Sequence, residues 1–406
     1  MIGERIKALR KQKKMTQTQL AEGIVTKSML SMIENGKAEA SMRSLRELAS
    51  RLDVSVQFLL KDSRESELQK LVEEIEYADM GFMKWDNKDI IERLEPFLDS
   101  DMQSIWLGRA YVFYGDAILT NDNRDLVLKY YDRAIELFER LGEKDEIAMT
   151  RIGQAYYLMH WDRFDEAGEK IELIEQLDSQ AMKTKTRIEF YMLLVFKELL
   201  YNAQLSHAIQ YLEEALNYMK QTRTYYRADD VYRALVICAL YRKENELIQT
   251  AIMKARQYVD FTEDDSSRMR LAFTEGLVAM KQNNVDLMGI QLSIIEEILQ
   301  KEESYTVIKE EKRFITPFEM FKGVYYAMKG DIEKAELFLS ELWERRNEWQ
   351  LKHSLIDQAI YLEGLLLGTL YGCGNQWLEE IETLIDQFPE GYYHQNLTEL
   401  LVKIKG

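Results

Sequence analysis

The feature that most constrains this chain is a spacing that returns six times. A small or apolar residue stands twelve positions ahead of its partner at Ala155/Ala167, Phe196/Ala208, Ala239/Ala251, Gly276/Met288 and Gly323/Ala335, and Gly368/Glu380 continues the series. Apolar residues fill the associated packing positions: Leu158, Phe164 and Ile171 with the first pair, Leu199, Leu205 and Leu212 with the second. Two antiparallel helices joined by a short turn need small residues at paired positions, because their axes approach closely there. The second members lie 41, 43, 37, 47 and 45 residues apart, so the units have unequal lengths. Residues 71–140 are expected to add further hairpins, with Ala134 and Phe138 on a second helix. With only 3 prolines in 406 residues, helices run without interruption, and no segment sustains the alternation of a strand. The expected fold class is all-α.

Charge divides the chain. The net charge is −17, yet residues 1–62 hold 12 Lys/Arg against 7 Asp/Glu, a local balance of +5. The remaining residues carry −22. A basic head on an acidic body fits a small nucleic-acid-binding module beside an effector region.

The head reads as five short helices. The first covers about Gly3 to Lys14, with Ile6 and Leu9 inward. Thr16 with Gln19 three residues later forms a capping box for the second, whose buried stripe is Leu20, Ala21 and Ile24. A third begins near Thr26 and stops at Asn35-Gly36. Ser41 opens a fourth, carrying Leu45, Leu48, Ala49 and Leu52. A turn at Asp53 to Ser55 leads to a short fifth helix with Val56, Phe58, Leu59 and Leu60.

The third helix separates its side chains by chemistry. At 100° per residue, Met29, Leu30 and Ile33 share one arc, while Lys27, Ser28, Ser31 and Met32 share the opposite one. An apolar back that locks the helix and a front of short polar or basic side chains is what major-groove readout requires. The start of the second helix, with Gln17, is placed to meet a phosphate. Lys11, Lys13, Lys14, Lys37 and Arg43 are candidate phosphate contacts.

The strings MTQTQLAEGIVTKSMLSMIENGK and LRELASRLDVSVQFLL closely resemble the lambda-repressor-like (XRE) helix-turn-helix family, over about residues 3–61. That resemblance implies base- or phosphate-contacting roles for Gln17, Lys27, Ser28 and Met32, while Ser31 is added from the helical arc alone. Met32 departs from the polar residue common at its position. Further along, GVYYAMKGDIEKAELFLSEL, with Gly323, Tyr326, Gly330, Ile332, Ala335 and Leu339, resembles the tetratricopeptide (TPR) pattern, whose standard unit is about 34 residues. The expected organisation is a helix-turn-helix domain at 1–62, a linker at 63–70 that is alternatively the start of a connecting helix, and a degenerate TPR-like α-solenoid at 71–406.

This combination resembles the Rap–Rgg–NprR–PlcR–PrgX (RRNPP) peptide-pheromone receptors, with NprR and PlcR types nearest. The resemblance implies a cytoplasmic homodimer that binds a double-stranded DNA operator and, in the concave groove, a short signalling peptide. Inward-facing candidates from the repeat alignment are Met149, Tyr156, Lys197, Phe273 and Thr369. The string TRTYYRADDVYR places Arg223, Tyr226, Arg227 and Arg233 near a first helix, where its arginines are candidate cations for a peptide carboxylate. Asparagines hold the peptide backbone in that family, and Asn202, Asn217 and Asn245 are possible counterparts. Two alternatives stay open: an adaptor whose repeats grip a partner protein such as a response regulator, and a phage- or plasmid-type repressor.

Other classes find little support. Phosphate-loop, dinucleotide and zinc-protease signatures are missing, and His160, His207, His353 and His394 are scattered, so no catalytic residue, cofactor or metal site is assigned. Cys238 and Cys373 lie in apolar surroundings and read as buried free thiols. The start lacks an apolar signal region, and uncharged runs such as Ala234 to Tyr241 fall far short of the roughly 20 residues of a membrane span.

Overall fold

The computed structural model describes residues 2–60, 63–77, 86–120, 123–161, 163–177, 182–199, 204–300, 315–347, 355–388 and 391–406. Among these residues every regular element is a helix, and none of the helices is long and apolar enough to cross a membrane. They divide into two compact units, 1–150 and 151–406.

The first unit opens with α1 (Ile2–Gln12), α2 (Gln17–Ala21), α3 (Lys27–Glu34), α4 (Met42–Arg51) and α5 (Val56–Leu60). Local chemistry sets their ends. Thr16 accepts a hydrogen bond from the Gln19 amide while the Gln19 side chain accepts from the Thr16 amide, the expected capping box. Thr26 caps α3 through the Met29 amide, and Ser41 caps α4 through the Ser44 amide. Helix α3 ends at Asn35, followed by Gly36 at φ +69°. Ile6, Leu20, Leu30, Ile33, Leu45, Leu48, Leu52 and Leu59 close one core.

Gly3 permits the tightest approach in this core. A Cβ there would lie 1.9 Å from the Ile33 carbonyl oxygen, so α1 meets α3 backbone to backbone. The polar stretch from Ser63 is helical and begins α6 (Ser63–Tyr77). Next come α7 (Asn87–Leu98), α8 (Ile105–Ala117) and α9 (Arg124–Leu141). Gly108 on α8 sits against the Phe138 ring, and Tyr131 on α9 donates to Asp116 at 2.6 Å. Ala134 and Phe138 are buried on α9, the second helix of this hairpin, as expected.

Beyond α10 (Lys144–His160) and α11 (Phe164–Glu175), hairpins follow in series: α12 (Thr184–Lys197) with α13 (Leu205–Thr222), α14 (Ala228–Arg242) with α15 (Asn245–Thr262), and α16 (Asp265–Lys281) with α17 (Val285–Gln300). Then come α18 (Ile315–Met328) with α19 (Ile332–Glu344), α20 (Leu355–Leu370), α21 (Leu378–Ile385) and α22 (Tyr392–Lys405). First helices pack on first helices, α14 on α16, α16 on α18 and α18 on α20, while each second helix also meets the first helix of the next hairpin. That is the stacking of an α-solenoid.

Ala155, Ala167, Ala208, Ala239, Ala251, Gly276, Met288, Gly323 and Ala335 are buried, and Phe196 is half-buried. The sixth pair is a correction. Glu380 is exposed and Ile381 takes the buried position. Its partner Gly368 faces backwards instead, where a Cβ would lie 2.3 Å from Leu339 Cδ1 of the preceding hairpin. The cause is the connection: Gly374 at φ +76° and a 3₁₀ turn at Asn375–Trp377 move α21 out of register. Cys238 and Cys373 are free and buried, and burial pushes the Cys238 thiol up to about 12. Such thiols are unreactive at neutral pH.

Candidate DNA-reading and ligand sites

Helix α3 presents two faces. Leu30 and Ile33 are buried and Met29 packs half-buried beside them, which anchors the helix with roughly 2 kcal/mol per apolar side chain. Lys27, Ser28 and Met32 are exposed, and Ser31 between them is half-buried. Lys37 and Arg43 are exposed as well; Arg43 pairs with Glu47 one turn on, at 3.1 Å.

What holds α3 in place is not visible in its helical pattern. Glu34, at its C-terminal end, is buried and receives Arg10 from α1 through Nε at 2.6 Å and Nη2 at 2.9 Å. Gln17 at the start of α2 donates to the same carboxylate at 2.8 Å. Arg10 also donates to the Met15 carbonyl at 2.9 Å, and Lys7 reaches Asn35 at 3.2 Å. Burial pushes the Glu34 carboxyl up, but the hydrogen bonds from Arg10 and Gln17 and the nearby positive charges more than reverse this. Its pKa ends below the ordinary carboxylate value. The Gln17 side-chain amide thus points to Glu34.

In the second unit the charged residues of first helices converge. Arg227 donates to Glu189 at 2.6 Å and to Asp230 at 2.8 Å, and Tyr226 donates to Glu189 at 2.7 Å. Arg233 also binds Asp230, and Arg270 on α16 reaches Asp229 at 3.4 Å. Tyr156 stands beside Arg227 and Glu189 and packs edge-on against Phe196 at 5.5 Å. Burial, then the Glu189 charge, raises the Tyr156 and Tyr226 hydroxyls well above their ordinary value, so both remain protonated donors. Arg227 is flanked by two carboxylates of its own chain, so a ligand anion must compete with them.

Of the residues named as ligand candidates, Tyr156 and Arg227 come together here. Lys197 lies at the C-terminal end of α12, and Asn245 opens α15 at the far end of α14, about 22 Å from Arg227 along that helix. Asn202 lies outside the described residues. Thr369 is a correction: it is buried and donates to the Leu365 carbonyl at 3.0 Å. Phe273 also packs half-buried against the core, its ring tilted against that of Phe321 at 5.6 Å. Sequence reasoning missed Glu189 altogether, although its place on a first helix, seven residues before Phe196, was readable.

A second cluster closes the C-terminal side of this unit. Tyr241 on α14 donates to Glu363 on α20 at 3.3 Å, although α20 is three hairpins later. Lys281 on α16 pairs with Glu363 and lies 4.4 Å from the Tyr241 ring centre. Tyr392 on α22 packs on Tyr241 at 4.6 Å, and Lys281 donates to Asn396 at 3.3 Å. First helices three hairpins apart thus touch through their side chains at that level.

Five helices around one core, with α2 and α3 joined by a tight turn and α3 showing a basic-polar front, define a helix-turn-helix domain. Residues 6–59 match the family model described as Helix-turn-helix, nearly the span over which the XRE-like strings were read. No curated protein matches the chain. Among solved structures the chain is similar to Bacillus thuringiensis PlcR in complex with the peptide PapR7 and DNA, with 18% identity, 64% of this chain and 95% of that chain covered, and a TM-score of 0.44. It is similar to ComR from S. thermophilus in complex with DNA and its signalling peptide ComS, with 15% identity, coverage of 72% and 99%, and a TM-score of 0.37. It is also similar to the SHP pheromone receptor Rgg2 of Streptococcus dysgalactiae, with 15% identity, coverage of 64% and 100%, and a TM-score of 0.31.

Proposed function

We propose that this chain is a cytoplasmic, sequence-specific DNA-binding transcriptional regulator that works as a homodimer and is controlled by a short signalling peptide. Residues 1–62 bind the operator and residues 71–406 bind the peptide. The observation that carries the DNA half is the front of α3, where Lys27 and Ser28 are exposed while the back of the helix is fixed in the core. In this reading Lys27, Ser28, Ser31 and Met32 face base edges. The α2 N-terminus, beside Gln17, meets a phosphate together with Lys37 and Arg43.

The peptide half is supported by the half-buried Tyr156, Tyr226 and Arg227 on the side of the hairpins away from the Tyr241–Glu363 closure. The Tyr156 hydroxyl as donor, the Tyr226 oxygen as acceptor and a carboxylate-flanked guanidinium suit a ligand with both acceptors and donors, as a peptide backbone has. Selecting duplexes from a random pool with the full chain tests the DNA half. Enriched sequences should contain two inverted half-sites separated by about 10–10.5 base pairs or a multiple. A pool that fails to enrich any sequence rejects the reading.

A further inference from the structure

Three successive second helices carry an exposed apolar side chain at one register. Two positions after the buried residues Ala251, Met288 and Ala335 stand Met253 on α15, Ile290 on α17 and Leu337 on α19. These are 48%, 57% and 63% exposed. The same register in the two preceding hairpins, counted from Ala167 and Ala208, holds Glu169 and Gln210, both exposed and polar. Single exposed apolar side chains are ordinary on any surface. A row restricted to three neighbouring hairpins is different, because equivalent positions in stacked hairpins align.

The size of this face suits a partner. Three helices, each about 10–12 Å wide and about 20 Å long, present roughly 600–700 Å². A standard interface takes about 600–1,000 Å² from each side. The charges at the two ends of the row differ in sign. Lys254 follows Met253, whereas Glu336 precedes Leu337 on a helix where Glu333 and Glu341 accompany it against one cation, Lys334, and all five are exposed. A twofold axis that passes Ile290 in the plane of this face and parallel to the helices lays the Met253 end of one protomer on the Leu337 end of its partner, so that each contact occurs twice. Lys254 then comes beside Glu336, twice.

We propose that the outer faces of α15, α17 and α19 form a twofold interface with a second copy of this chain, with Ile290 at the axis. The inference rests on the homodimer reading above and adds where the two copies meet. Sedimentation of the full chain tests it, with thermal melting to confirm that each variant is folded. Ile290 is exposed, so Ile290→Asp leaves the core intact. The wild type should dimerise, and Ile290→Asp should raise the dimer dissociation constant about tenfold or more. Lys254→Glu and Glu336→Lys should each weaken the dimer, and the two together should restore it. A variant Ile290→Asp that dimerises like the wild type, or a charge swap that fails to restore association, overturns the interface alone. A wild type that stays monomeric at every concentration overturns the interface and the homodimer reading together.

Discussion

Arg10 and Glu34 meet as a two-pronged pair between α1 and the end of α3, with nitrogen–oxygen distances of 2.6 and 2.9 Å. The Glu34 side chain is fully enclosed and the Arg10 side chain is 11% exposed, so neither charge has much water to fall back on. Removing one partner of such a pair leaves the other buried and uncompensated, which costs about 3–5 kcal/mol. Glu34→Ala should therefore destabilise the helix-turn-helix core by about 3 kcal/mol and release Gln17 as well. Hydrogen exchange of the α3 amides reads this directly; protection equal to that of the wild type would show that the pair contributes nothing.

The same carboxylate gives the domain an acid limit. Folding holds the Glu34 pKa below its ordinary value, so the fold favours the charged form. Its contribution is complete above the ordinary value of about 4.3 and disappears as pH falls through the lower folded value. Stability of the α3 amides should fall on acidification below that point, and Glu34→Gln should make the fall shallower while lowering the plateau. A variant with an unchanged acid slope would place the titration elsewhere.

Gly3 offers a test of sign. Alanine is the better helix former by about 1 kcal/mol, so Gly3→Ala in a helix would ordinarily stabilise. Here the new methyl carbon would stand 1.9 Å from the Ile33 carbonyl oxygen, on backbone that cannot swing aside. We expect Gly3→Ala to cost about 1–3 kcal/mol and to weaken DNA binding by shifting α3. A stabilised variant would mean that α1 and α3 are further apart than described.

The Lys281–Glu363 pair tests the closure in the second unit. Both side chains are largely enclosed, at 17% and 4% exposure. Lys281→Met alone strands Glu363, which still accepts from Tyr241, and should cost about 3 kcal/mol. Replacing both by methionine removes the stranded charge and should recover most of that loss. Denaturant unfolding of the two singles and the double completes the cycle; strictly additive losses would show that the two charges do not interact.

What the sequence disclosed was local. The Thr16/Gln19 box, the Thr26 and Ser41 caps and the stop at Asn35-Gly36 all lie within a turn of the helix end they fix, so their chemistry is visible in a few residues. The buried back of α3 followed from its period. Arg10, Gln17 and Glu34 were out of reach because the partners are 24 and 17 residues apart and nothing in a helical pattern pairs them. Spacing likewise revealed the hairpins up to Ala335. It failed at Glu380, where the turn after Cys373 changes length, and at Thr369 and Phe273, whose neighbours come from other hairpins.

The most direct test of the central claim is fluorescence anisotropy of a selected operator duplex titrated with the full chain and with Lys27→Glu/Ser28→Glu. Both substituted residues are exposed, so the double variant should melt like the wild type. The wild type should bind with an affinity that falls log-linearly with salt, as phosphate contacts require. The double variant should lose specific binding, about 100-fold or more for two disrupted groove contacts. Unchanged operator affinity in a folded double variant would contradict the assignment of α3 as the reading helix.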